Sequence, residues 1–226
     1  MPRSILTATL AAGQILFCSL SGAAEISPQE LEDWFNGTGT HSAASVNEGE
    51  LVFLHGKPDK PVHHHHNFLA IVPTSLEDGW ATLVQCHENL DQVGRTQIVF
   101  NREKIRGIRI QSYSGIEKAW VEGASVQLEN IGPGAMLCLS AESRALIPNG
   151  DGSWSLRNGP FMRKFLDGYY PMHVSMKIAF PETIRPAEIS PAPNEGLRVW
   201  RMGNTLNLDA WFEGRLNTEI RFRAVP

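Results

Sequence analysis

The chain has 226 residues, 42% of them hydrophobic, and 20 Lys or Arg against 24 Asp or Glu give a formal net charge of −4. That length suffices for one large domain or two small ones. The charge balance shows no strong basic excess of the kind nucleic-acid binding rests on, so no nucleic-acid partner is expected.

The first residues read as an export signal. Arg3 supplies a basic start, and Ile5 to Leu20 is an apolar run broken by Thr7, Thr9, Gly13, Gln14 and Ser19. Small residues then offer cleavage after Ala23 or Ala24. A membrane-spanning helix needs about 20 strongly apolar residues. Residues 1–24 are therefore expected to be a signal peptide. Residues 25–226 would form one domain, periplasmic or secreted, with no transmembrane helix. Cys18 follows bulky Phe17, a poor context for a lipid anchor.

The mature chain opens with "SPQE", a capping box at Ser27 to Glu30. Leu31, Trp34 and Phe35 share one face, and Asn36-Gly37 ends this short amphipathic helix. Strands follow. Leu51 to His55, Asn67 to Val72, Trp80 to His87 and Thr96 to Phe100 are apolar runs between turn-forming residues. Ala124, Val126 and Leu128 alternate with polar residues, as do Met172, Val174, Met176, Ile178 and Phe180. Leu206 to Phe212 and Leu216 to Phe222 flank Glu213-Gly214-Arg215 and read as a closing hairpin. Proline-rich Pro181 to Gly196 reads as a surface crossover within the same domain. The expected fold is all-β: an antiparallel β-sandwich, or an open barrel, with a short N-terminal amphipathic helix.

Two cysteines remain after export, Cys86 and Cys138. In an oxidising compartment a lone pair most often forms one disulfide. The competing reading makes Cys86 a thiolate metal ligand.

Chemistry concentrates between Lys60 and Asp91, where His63, His64, His65 and His66 precede "CHE" at Cys86-His87-Glu88. A histidine tract is a compositional cue for metal. Centring a hairpin loop on Leu76 places Leu69 opposite Leu83, Asn67 opposite Gln85 and His65 opposite His87. Opposed Cβ atoms lie about 4.5–5.5 Å apart, and residues two apart share a face. His63, His65 and His87 then share one face, and His64, His66, Cys86 and Glu88 the other. The first set is the natural ligand group if Cys86 is bridged; the second gives a mixed nitrogen–sulfur site if it is free. Copper or zinc would suit either. His55 could join either set, and His173 is assigned to packing, with Met172 and Met176 facing the core on its opposite side. The competing structural reading is a hydrogen-bonded network of His65, Asn67, Gln85 and His87.

"HENLD" lacks the second histidine of H-E-x-x-H and ends a strand instead of lying on a helix. No nucleophile elbow, phosphate loop, dinucleotide fingerprint or C-x-x-C occurs. The leading expectation is an exported, non-enzymatic protein with a His-rich transition-metal site. The alternatives are an envelope interaction module binding a protein or glycan, and a hydrolase with a cleft around His87, Glu88 and Asp91.

Overall fold

The computed structural model describes residues 47–165 and 168–225. The expected signal peptide and amphipathic helix lie outside the described residues. In chain order the strands are β1 (Val52–Phe53), β2 (His64–Ala70), β3 (Ala81–Glu88), β4 (Arg95–Val99), β5 (Ile105–Glu122), β6 (Ser125–Ser143), β7 (Leu146–Pro148) and β8 (Ser153–Phe161). They continue as β9 (Arg163–Phe165), β10 (Gly168–Tyr170), β11 (Met172–Ala179), β12 (Ile184–Ser190), β13 (Leu197–Met202), β14 (Thr205–Glu213) and β15 (Leu216–Ala224). A single helical turn, α1 (Ser75–Asp78), joins β2 to β3.

The all-β expectation holds. A nine-stranded sheet runs β1-β14-β11-β2-β3-β6-β4, with β13 also on β14 and β5 also on β6. A four-stranded sheet runs β12-β15-β8-β7, and β9 and β10 form a two-stranded ribbon. The pairs are antiparallel except β11 with β2. The main core joins the two larger sheets: Leu69, Leu83, Met172, Val174, Met176, Ile178 and Phe212 from one, Leu156, Ile184, Leu216, Ile220 and Phe222 from the other. Alternation explains why β2 serves it with only one face: His65, Asn67 and Leu69 are buried while their neighbours are less so.

A second core lies under the long β5–β6 pair and includes Ile116, Val126, Leu128, Leu137 and Leu139. β5 carries no clean period of two because its pairing with β6 shifts register near Arg106/Arg109, Ile110/Ser112 and Ser114/Ile116. Each bulge turns following side chains to the other face and erases the alternation that would mark a strand.

One local expectation is corrected. Leu206–Phe212 and Leu216–Phe222 are strands but not a hairpin: β14 pairs with β11, β13 and β1, while β15 pairs with β8 and β12. The turn at Gly214 hands the chain from one sheet to the other. Its φ of 86° is left-handed, and a Cβ there would overlap the Glu50 carbonyl. The two strands each bury alternate residues on opposite sides of the core, a pattern that a hairpin and a sheet change share. The proline-rich segment is an edge strand, β12, with an irregularity between Pro186 and Glu188. An edge tolerates the missing N–H of proline.

Cys86 and Cys138 are directly opposed on β3 and β6, with Cα atoms 4.1 Å apart, and form a disulfide. The thiolate reading of Cys86 is thereby closed. Cross-linking a loop of this length stabilises by roughly 3–4 kcal/mol in the chain-entropy model. The Cys86→Ser/Cys138→Ser protein is expected to melt about 6–16 °C lower. A melting temperature within 2 °C of the parent, about the size of measurement scatter, would contradict this.

Candidate functional site: two faces of one histidine strand

β2 and β3 pair in the expected register: His65 opposite His87, Asn67 opposite Gln85, Leu69 opposite Leu83. The histidine run enters β2 at His64, and its residues alternate in facing. His63, His65 and His87 point to the inner side and line a cavity of about 1120 Å³. His64 and His66 sit on the outer side with Glu88.

The inner histidines form two hydrogen-bonded groups, Gln85–His87–His63 and His65–Asn67. Gln85 Nε2 donates to His87 Nε2 at 3.0 Å. The proton of neutral His87 is therefore on Nδ1, which donates to His63 Nε2 at 2.8 Å. His65 Nε2 donates to Asn67 Oδ1 at 3.2 Å. Burial pushes His63 down to about 4, with Asp91 opposing and Arg163 assisting. Burial, and then the charge of His63, pushes His65 down to about 3. Burial, then His65 and His63, holds His87 well below its usual value. All three are neutral at pH 7. Both His87 nitrogens and the His63 Nε2 lone pair are already engaged, so of the three rings only His65 keeps an uncommitted lone pair, on Nδ1. This is the structural network the sequence allowed, at the floor of a cavity.

The outer side is assembled by register across four strands. Trp211, His173, His64 and Glu88 stand in one row, and Asp209, Ser175, His66 and Cys86 in the next. Trp211 stacks on His173 with ring centroids 3.8 Å apart, and His173 on His64 at 3.6 Å. Ser175 Oγ and His173 Nε2 each donate to Asp209 Oδ2 at 2.8 Å, and Arg198 donates to Asp209 Oδ1. Burial works to raise the Asp209 carboxyl. Hydrogen bonds from His173, Arg198 and Ser175 outweigh it and hold the carboxyl well below its usual range.

That committed hydroxyl fixes His64. Having given its proton to Asp209, Ser175 Oγ can only accept from His64, whose Nε2 lies 2.8 Å away. His64 is kept neutral by burial first and then by its histidine neighbours, at about 3. Its lone pair is therefore on Nδ1, 3.9 Å from Glu88 Oε2. His66 Nε2 lies 3.3 Å from Glu88 Oε1, but not in line for a hydrogen bond. It is shielded from solvent and has no hydrogen-bond partner. One ligand atom each from His64, His66 and Glu88 all fall within 4.8 Å of one another, and these three could hold a metal ion; no other such group occurs among the described residues.

The other named residues fall outside this group. Exposed His55 lies 3.4 Å from Glu195 and joins neither face. Asp91 lines the inner cavity with His87 and is clamped by Arg163 at 2.6 Å, whereas Glu88 is outside, so the three residues of the hydrolase reading are divided between faces. Sequence reasoning missed Ser175 and Asp209 and set His173 aside. Alternation in Met172–Phe180 did place His173 and Ser175 off the core face, but nothing local names the strand beside them.

No protein-family model matches the chain, and no curated protein does. Solved structures that resemble it include an M1 zinc metallopeptidase from Deinococcus radiodurans bound to a Tyr-Ser-Ala substrate, at 10% identity and TM-score 0.41 over 79% of this chain and 44% of that one. A two-domain M1 zinc metallopeptidase bound to L-tryptophan matches at 12% and 0.39, over 79% and 44%. The Deinococcus radiodurans enzyme in a further structure matches at 12% and 0.38, over 79% and 43%. The chain spans less than half the length of these proteins. Similarity at this level carries no argument about chemistry.

Proposed function

We propose that this is an exported, non-enzymatic β-sandwich protein that holds a transition-metal ion, copper or zinc, through His64, His66 and Glu88. The observation that carries the reading is the chain Asp209–Ser175–His64. Metal-bound histidines characteristically donate their second ring N–H to a carboxylate or another acceptor, which fixes the tautomer and aims the free lone pair. Here that arrangement aims His64 Nδ1 at the side where His66 Nε2 lacks a partner. Two imidazoles and a carboxylate suit zinc or Cu(II), with a position left for water or a fourth ligand. The disulfide fits an oxidising compartment, and no helix among the described residues is long and apolar enough to cross a membrane.

Untagged protein purified from the exported fraction should carry copper or zinc near one equivalent by elemental analysis. Absence of both metals, with no saturable uptake at pH 7.5, would end the reading. The rival is an envelope interaction module. It draws on the inner network, which accounts for His63, His65 and His87 without any metal, and it predicts a co-purifying protein or glycan instead.

A further inference from the structure

The cavity behind the histidine floor has its own chemistry. Its wall includes Leu69, Leu83, Leu90, Ile98, Phe100 and Phe161. Its charged lining is one-sided. Arg95, Lys104, Arg144, Arg157, Arg163 and Lys164 line it against only Asp91 and Glu219, in a chain whose net charge is −4. Arg163 is neutralised by Asp91, Arg157 by Glu219 and Arg95 by Glu129. Lys104 and Arg144 are exposed and have no acidic partner within ion-pair distance among the described residues; the Arg144 N–H bonds the Lys104 carbonyl just beyond the Ala81–Ser143 pair, so both stand at the mouth, at the end of β3 remote from His87. Lys164 instead follows Arg163 beside Asp91 and lies over the Tyr169 ring. The deep end is built of imidazoles and amides in hydrogen-bonded groups, with the Asp91–Arg163 ion pair beside them.

We infer that this cavity binds an amphipathic monocarboxylate, with its apolar body along the Leu69–Leu83–Phe100 wall and its carboxylate at the mouth between Lys104 and Arg144. The orientation follows from charge. A carboxylate at the floor would meet Asp91 and neutral imidazoles, whereas at the mouth it meets two cations without an acidic partner. An apolar concavity with a few charged groups at one end is the usual form of a small-molecule site, and the volume exceeds what a twelve-carbon acid needs. The inference is independent of the metal site, which faces away from the cavity.

The test is calorimetric titration of the full mature chain at pH 7.5 and low salt with laurate, and with dodecyltrimethylammonium as the chain-matched cation. Laurate should bind saturably at one site and the cation should not. Lys104→Glu/Arg144→Glu should weaken laurate at least tenfold with an unchanged circular dichroism spectrum and melt. His64→Ala/His66→Ala should leave laurate affinity within twofold. Flotation with phosphatidylglycerol vesicles separates a free acid from a membrane headgroup. Equal binding of both amphiphiles, no saturable laurate binding, or capture by vesicles alone would each overturn the inference. So would undiminished affinity in the charge-reversed protein.

Discussion

Replacing His64 and His66 together with alanine is expected to abolish saturable copper and zinc binding at pH 7.5. The loss leaves Glu88 alone, and a single half-buried carboxylate is no match for two imidazoles. A fall of at least a hundredfold in affinity, about 2.7 kcal/mol, is the minimum that fits the proposal. Ser175→Ala is the sharper variant. It leaves all three ligands but frees His64 to move its proton to Nδ1, and such outer-shell losses typically cost 10–100-fold. His55→Ala should change nothing, since that ring is exposed beside Glu195. Metal binding that survives the double substitution and disappears in His63→Gln/His87→Gln would move the ligand set to the inner face.

Acid should destabilise the metal-free protein well before its carboxylates titrate. His63, His65 and His87 all have folded-state values below the unfolded value of about 6.5. The unfolded chain therefore binds more protons throughout the interval from 6.5 down to about 4 or 3. Stability is complete above pH 6.5 and falls as pH drops through that window. At pH 5 His63 and His65 each cost roughly 2 kcal/mol by linkage, roughly 4 kcal/mol together, and His87 adds to this in the same direction. Urea midpoints in the presence of chelator at pH 7.5, 6.0 and 5.0 measure this directly. A midpoint unchanged down to pH 5 would show that these rings are solvated or already protonated in the folded state.

The parts of the site legible in the sequence were those set by neighbours along the chain. The period of two in β2 and β3, with the short connection at Pro73–Gly79, fixed the face of each histidine and the His65–His87 pairing. The disulfide was legible from the cysteine count alone, and the β3–β6 ladder sets Cys138 opposite Cys86. What was not legible came from distant strands. The parallel alignment of β2 with β11 joins His64 to His173 and His66 to Ser175 across more than 100 residues, and no turn or loop length encodes it. Asp209 is one strand further away. The bulged β5 hid itself by losing alternation, and the sheet change at Gly214 wore the pattern of a hairpin. Antiparallel neighbours leave local traces; parallel and cross-sheet partners leave few.

The parallel β2–β11 pair also sets an order of events. Contacts of such long sequence separation form late, after loop closure over the intervening chain. His64, His66 and Glu88 are synthesised early and can gather in the β2–β3 hairpin. Ser175 and Asp209, which aim His64, arrive only with the last quarter of the chain. A nascent or clipped chain lacking β11 and β14 would thus own the ligands without the means to orient them. On this ordering, the metal uptake proposed above would mark a chain whose topology is complete, following final folding instead of guiding it.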